Sequence, residues 1–591
     1  MTIYKAPLDD MRFALYDVLG AEAILGSLGG GQAHTRDLID AVLEEAARFN
    51  EQVLAPLNAS GDEEGCHYDK ATATVTTPKG FKEAYRQYVD GGWAGLIAPE
   101  VHGGQGLPYA VGALTKEMID SANLAWGIYP LLSQGAVDAL EHHGDEWQQE
   151  VFLKPLVEGR WTGSMCLTEP QAGSDLGLLK TRAEPNGDGS YSVSGTKIFI
   201  SAGEHDFAEN IVHLVLARLP DAPAGSRGIS MLAVPKFRVG KDGAMGERNK
   251  LAAGAIEHKM GIRGSATCVM NFDGAEGWLV GPAHKGLQAM FTMMNAARLA
   301  VGIQGLAISE RALQNSLNYA RERVQMRALS GPAYPDKAAD PLVVHPDVRR
   351  MLLTQQAFVE GGRVLAVYGA LQSDIEARAA DESSRIQAGE LLSFLIPIVK
   401  GMLTEWSVES TKEALQIYGG HGYIVENGVE QFVRDARITT LYEGTTQIQA
   451  LDLIGRKILQ LKGAGLKHFL AEIGAFCKQH AQDANLAAFV GPLSQAAKAW
   501  GELTQSLVAK AQENPEEIGA AAMDYLYFSG YVALAWAWAR SVAAAEGSSR
   551  PAAFKQAKRD VATFYFARIL PRAQLHRQGI EAGVATLPAM A

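Results

Sequence analysis

Apolar residues recur at helical spacing over residues 36–55, where Leu38, Ile39, Val42, Leu43, Ala46, Ala47 and Val53 share a face. The pattern predicts a helix there, with a stop at Pro56. Helical texture continues to about residue 163. It is broken by PEVHGGQGLP over 99–108, whose glycines and prolines predict a loop with Leu107 plugged into a core.

Near Gly163 the pattern changes. Residues 191–200 (YSVSGTKIFI), 211–219, 229–235 and 268–272 are rich in β-branched and aromatic residues and read as strands. Asn186-Gly187-Asp188-Gly189 predicts a hairpin turn, because these residues tolerate positive φ. Helical periodicity returns over 287–323 and 346–371, and over 390–418 with an interruption at Pro397. From Gly465 onward the chain is again helical and Ala-rich.

The segregated order predicts an α+β fold, mostly α. It comprises an N-terminal helical domain (1–163), a middle antiparallel β domain (164–282), a helical bundle (283–464) and an additional C-terminal helical domain (465–591). A chain of 591 residues is too long for one core. Its 47% hydrophobic and 20% charged content fits a globular protein.

A net charge of -12 argues against a nucleic-acid partner. Cys66, Cys166, Cys268 and Cys477 are widely separated and show no metal-ligand spacing. They read as free thiols of a reducing, cytoplasmic setting. The first 20 residues carry interspersed charges, unlike a signal peptide. The charge-free run 525–539 is shorter than the roughly 20 residues of a spanning helix. It predicts a buried helix, with a membrane-contacting helix as the alternative, and no membrane span.

Four segments carry candidate chemistry, and each also has an ordinary structural explanation. CLTEPQAGSD (166–175) places Thr168 and Ser174 on a Gly/Pro-shaped loop, suited to a phosphate or a polar ring edge, or simply a turned loop. GTKIFIS (195–201) offers Phe199 and Ser201 to a flat ring, or Phe199 to the core. QIYGGHGY (416–423) permits close backbone approach, or is a helix C-cap. RDARITTLYEGTTQIQ (434–449) holds a lone carboxylate, Glu443, between Tyr442 and Gly444. In an apolar pocket it would have a raised pKa and act as a base; otherwise it is a helix-start Glu.

In this order, CLTEPQAGSD, GTKIFIS, YARERVQ, QIYGGHGY and RDARITTLYEGTTQIQ together resemble the acyl-CoA dehydrogenase family. PEVHGGQGL is similar to its N-terminal domain, and the resemblance covers about 35–460. It implies an N-terminal helical domain, a β domain and a four-helix bundle, with FAD between the last two. It implies flavin contacts at Leu167, Thr168, Ser174, Phe199 and Ser201. Arg323, Gln325, Gln416 and Gly420 would hold the FAD of a neighbouring subunit, and Thr445 and Gln447 would make further cofactor contacts. Glu443 matches the catalytic base. Some members carry that carboxylate just before the residue matching Arg298; Ala297 stands there in this chain. The implied substrate contacts are Ser174, Arg298, Tyr442 and Gly444. Met165, Phe199 and Gln325 depart from the family's common residues.

The resemblance implies dehydrogenation of an acyl-CoA to the trans-2-enoyl-CoA, with electrons passed to electron-transfer flavoprotein. It also implies a homodimer or a tetramer built from dimers. The length, the added C-terminal segment and the opening MTIYKAPLDDMRFALYDVLG are similar to the 3-methylmercaptopropionyl-CoA dehydrogenase subgroup. The expected reaction is therefore 3-(methylthio)propanoyl-CoA to 3-(methylthio)acryloyl-CoA. The alternatives are a general medium- or long-chain fatty acyl-CoA dehydrogenase, an acyl-CoA oxidase, or a non-catalytic binding protein on the same fold.

Overall fold

A computed structural model describes residues 2–28 and 35–590. The outer limits 1 and 591 of the expected segments lie outside it. The chain forms two compact units. One comprises Gln52–Leu107 and Ala122–Ala297; the other comprises Met1–Glu51, Pro108–Ser121 and Arg298–Ala591.

The first unit contains a seven-stranded sheet. Strand Thr267–Val280 pairs antiparallel with Tyr191–Ser201, which pairs antiparallel with Arg182–Pro185 across the predicted Asn186–Gly189 turn. Asn210–Arg218 and Ile229–Pro235 pair antiparallel, and Ile229–Pro235 also joins the far end of Thr267–Val280. The sheet therefore curls back on itself, leaving Leu251–Ile256 and Trp161–Cys166 as its outer strands. Val193, Val215, Leu232, Met270 and Phe272 fill the enclosed core.

The expected all-antiparallel sheet needs one correction. Trp161–Cys166 runs parallel to Asn210–Arg218 over six residues, and Arg182 pairs parallel with Arg218. The long excursion between residues 166 and 210 supplies the crossover that a parallel pair needs. Helix Leu124–His143 covers Trp161–Cys166 closely: a Cβ on Gly163 would lie 2.4 Å from the Ala136 Cβ. In the 99–108 loop Leu107 is buried, as its position predicted.

The second unit is helical. Its long helices are Gly286–Glu322 (from Arg298 onward), Pro346–Arg378 and Glu382–Tyr418, followed by the short Val429–Thr439 and Thr446–Leu451. Pro397 does not interrupt Glu382–Tyr418. It removes one backbone donor, but buried neighbours on either side (Ile396, Ile398, Val399) hold the helix by tertiary packing. Pro56 does end the N-terminal helical run, at Leu54, and a second helix begins at Leu57.

Beyond residue 463, four further α-helices among the described residues accompany Glu516–Gly547, and three of them, Ala487–Glu513, Ala552–Phe564 and Arg572–Ala582, pack against it. Over 525–539 that helix carries no charge and is almost wholly buried, Trp536 and Trp538 included, so this stretch forms a core. The Trp538 indole donates to the Ala357 carbonyl at 3.0 Å, joining these helices to the bundle. Gly286–Glu322 and Glu382–Tyr423 are long and apolar enough to cross a membrane by length and composition alone. Each contains charged residues, unlike the charge-free run 525–539. Both are mostly buried inside the fold, as core helices are.

Candidate active site

Glu443 lies in the turn linking Val429–Thr439 to Thr446–Leu451. The Tyr442 N–H donates to the Ile438 carbonyl and the Thr446 N–H to the Thr440 carbonyl, both at 3.1 Å. Thr445 caps the second helix, its hydroxyl accepting from the Ile448 N–H at 3.3 Å. Between these anchors, Glu443 (φ 54°) and Gly444 (φ 85°) are both left-handed. Glycine adopts this conformation freely, whereas for Glu443 it costs about 1–2 kcal/mol.

Two side chains hold the strained turn. The Lys400 ammonium donates to the Gly444 carbonyl at 2.7 Å. The Gln449 amide is shared between the Glu443 and Gly444 carbonyls at 3.2 Å each. The Glu443 N–H has no acceptor among the described residues.

The Glu443 side chain is half-buried. Burial pushes its carboxyl above the ordinary range, while Arg298 and then Lys400 pull it back. Arg298 is buried, with NH1 3.6 Å from Asp452 Oδ2 and no hydrogen-bond partner for its Nε. The Tyr442 hydroxyl donates to Gln304 Oε1. Burial raises that phenol's pKa strongly, and Asp120 and Glu443 add to the shift. Burial likewise takes Asp120 up to about 6, against the pull of Lys116 at 2.6 Å.

Among the described residues, Arg298 Nε, Gln304 Nε2, Gln449 Oε1 and Asp120 Oδ2 are all buried without a hydrogen-bond partner. Such orphaned groups are costly and concentrate where a ligand or water completes the bonding. The arrangement offers a carboxylate poised to take a proton, two cations facing it and unpaired polar atoms around it.

The structure places the other helical candidates elsewhere in this unit. Tyr319 stacks on Tyr418 at 4.0 Å and hydrogen-bonds His421 at 2.7 Å. This gathers the helix end carrying Arg323 and Gln325 with the segment Gln416–Gly420. All four candidate residues there are exposed. Gln447 is exposed on the first turn after the Thr445 cap.

The sheet unit joins two of the sequence motifs. The Ile198 N–H donates to the Thr168 carbonyl at 2.9 Å, and Lys197 reaches the Leu167 carbonyl at 3.0 Å and Glu169 at 2.8 Å. Although burial opposes it, Lys197 and further hydrogen bonds hold Glu169 down to about 2, so the strut is ionic. Leu167 and Thr168 thus lie beside the strand carrying Phe199 and Ser201. Ser174 is exposed further along the loop.

Phe199 is not in the core. Opposite Val269 the strand carries two residues, Ile198 and Phe199, which makes a β-bulge. The bulge gives Phe199 a φ of 59° and turns its ring outward, leaving it 60% exposed. A bulky residue held left-handed to expose an apolar ring points to a ligand contact. An aromatic face next to hydroxyls suits a flat ring with polar edges.

Lys400 and Gln304 lie outside every motif, and Gln449 closes the 434–449 motif without a role that the motif itself suggests. For Lys400 a signal existed: it is a lone cation in the apolar run LLSFLIPIVKGML (391–403). Among the described residues no cluster has the donors to hold a metal, and all four cysteines are free.

Comparison with known proteins gives a consistent assignment along the chain. Residues 37–160, 164–275 and 284–459 match the N-terminal, middle and C-terminal domain models of acyl-CoA dehydrogenases. Residues 469–591 match the acetyl-CoA dehydrogenase C-terminal-like model. The chain is 44% identical over 571 residues to 3-methylmercaptopropionyl-CoA dehydrogenase of Ruegeria pomeroyi, covering 96% of both chains. It is 34% identical over 607 residues to the broad-specificity linear acyl-CoA dehydrogenase FadE5 of Mycobacterium tuberculosis, covering 98% of both. Caenorhabditis elegans ACDH-11, solved in complex with C11-CoA, shares the fold with a TM-score of 0.78 at 18% identity, over 100% of this chain and 96% of that one.

Proposed function

Because the chain belongs to the acyl-CoA dehydrogenase family and is an FAD-dependent oxidoreductase, we propose that it converts 3-(methylthio)propanoyl-CoA to 3-(methylthio)acryloyl-CoA with Glu443 as the base. The observation that carries this reading is the Glu443 turn: a half-buried carboxylate with a raised pKa, strained into place and faced by Arg298 and Lys400.

Leu167, Thr168, Ser174, Phe199 and Ser201 of the sheet unit would hold the flavin, with Thr445 and Gln447 adding contacts. Arg323, Gln325, Gln416 and Gly420 would serve the FAD of a second subunit in a homodimer or a tetramer of two dimers; their exposure supports that role. When bound, FAD supplies the two-electron acceptor that takes the β-hydride of the substrate.

The Cα proton of a thioester is weakly acidic, so the site must stabilise the enolate that forms as it leaves. The Glu443 N–H, which lacks a protein acceptor, is available to the thioester oxygen; such a donor contributes about 3 kcal/mol. Glu443 takes the α-proton as the Cα–Cβ double bond forms, and its neutralisation there is eased by burial. Arg298, Tyr442, Gly444 and Ser174 would contact the substrate. Electron-transfer flavoprotein is the proposed acceptor of the electrons, and the free thiols suit a cytoplasmic setting.

The 34% relative named for linear acyl-CoAs supports a second substrate reading, general fatty acyl-CoAs. Turnover with methylthiopropanoyl, butanoyl, octanoyl and palmitoyl thioesters and an artificial acceptor separates the two. A preference for palmitoyl-CoA would overturn the methylthio reading, and peroxide release would indicate an oxidase. Glu443→Gln should bind FAD and substrate yet lose flavin reduction; normal reduction would remove Glu443 from the base role.

A further inference from the structure

Five lysines are fully or almost fully buried among the described residues: Lys197, Lys236, Lys400, Lys457 and Lys558. Four have a carboxylate within ion-pair distance: Lys197 with Glu169, Lys236 with Glu204, Lys457 with Asp452, and Lys558 with Asp10 and Glu360. Lys400 has none. It is 0% exposed, and among the described residues its ammonium has one hydrogen bond, to the Gly444 carbonyl. A buried ammonium with a single neutral partner is costly and persists where its charge has a use.

We propose that Lys400 is the positioning residue of the catalytic turn: it pins the Gly444 carbonyl and sets a positive charge against the Glu443 carboxylate. The inference rests on Glu443 being the base. It follows from where the helix Glu382–Tyr418 puts this side chain. The adjacent left-handed pair, Glu443 and Gly444, would relax without an anchor, and Lys400 provides the shortest hydrogen bond to it. Burial takes Lys400 down to about 7; Glu443 resists that fall and Arg298 adds to it. The charges of Lys400 and Glu443 are therefore linked.

Other charged and titratable groups bear on the same turn. Arg298 approaches from Gly286–Glu322, and Glu405 from the helix of Lys400, bonded to the Thr446 hydroxyl. Asp452, Arg456 and Lys457 follow the short helix after the turn and act through Arg298. Tyr442 precedes Glu443, with Asp120 beside it. Of these groups, Lys400 alone both bonds the turn and opposes the raised pKa of its carboxylate.

The test uses FAD-loaded Lys400→Met, Lys400→Gln and Lys400→Arg, with kcat and kcat/KM followed across pH. Removing the cation should move the acidic limb of kcat/KM upward in the Met and Gln variants, by about one pH unit. The Arg variant should keep the limb near its wild-type position. The Met variant should lose about tenfold or more in kcat, and the Gln variant, which keeps an N–H donor, should recover part of that loss. If Lys400→Met does not fold, the limb of Lys400→Gln decides alone. A wild-type limb in the Met and Gln variants, with Glu443→Gln inactive, overturns the proposal. An active Glu443→Gln instead overturns the base assignment beneath it.

Discussion

Arg363 and Glu117 face each other inside the helical unit: the guanidinium Nε lies 3.0 and 3.1 Å from the two carboxylate oxygens, and NH2 lies 2.6 Å from one of them. The same guanidinium reaches Glu310 at 2.6 Å and bonds Asp10, which also bonds Lys558. One buried arginine thus ties the N-terminal helix Leu8–Arg12, the segment Tyr109–Ala122 and the bundle helices to the added C-terminal helices.

Arg363→Met should destabilise the protein by about 3–5 kcal/mol, because it leaves buried carboxylates without their cation. A lowered denaturation midpoint checks this. An unchanged midpoint would mean that the carboxylates find other partners or protons at no cost.

Glu117 adds a pH dependence. Burial pushes its carboxyl up to about 7, helped by Glu310 and Asp10 and opposed by Arg363. The folded pKa lies above the unfolded value, so the neutral form favours folding. This contribution is full below about 4.5 and is lost as pH rises through about 7; it amounts to roughly 3 kcal/mol. Wild-type stability relative to Glu117→Gln should therefore fall across that window. Parallel stability curves for the two proteins would refute the assignment.

Arg298 and Asp452 should move the acidic limb of kcat/KM in opposite directions. Arg298→Met removes a cation that lowers the Glu443 pKa, so the limb should rise by about half to one pH unit. Asp452→Asn leaves the Arg298 charge unbalanced, so the limb should fall. Shifts of the same sign would contradict the pairing.

Gly444→Ala tests the turn itself. The new Cβ would lie 2.8 Å from the Gln449 amide nitrogen and 3.2 Å from Ile448 Cγ2, at a φ that disfavours side chains. A stability loss of about 1–2 kcal/mol is expected, with a larger proportional loss in kcat than in FAD content. Full turnover by this variant would show that the turn tolerates displacement.

Phe199→Gly relieves the strain at φ 59° while removing an exposed ring. Stability should stay within about 1 kcal/mol of wild type. FAD should be released about five- to tenfold more readily, the scale of one lost aromatic contact. Fluorescence titration of the apoprotein with FAD measures it. Unchanged affinity would place the ring away from the cofactor.

The amino-acid sequence by itself determined the order of helical and sheet segments, the turn at Asn186–Gly189, the buried Leu107 and the motif carrying Glu443. Periodicity, turn chemistry and motif order are local properties, legible wherever neighbours along the chain dictate the outcome. Tertiary structure decided what depends on distant partners. On its strand Phe199 reads either as a ring offered to a ligand or as a core residue, and the bulge against Val269 decides between them by turning it outward. Pro397 reads as a helix break, yet packing carries the helix through it. Lys400 and Gly444 are 44 positions apart and meet only because the Glu382–Tyr418 helix passes under the turn. The environment of Glu443 follows the same rule, because burial and facing charge arise from elements remote in sequence.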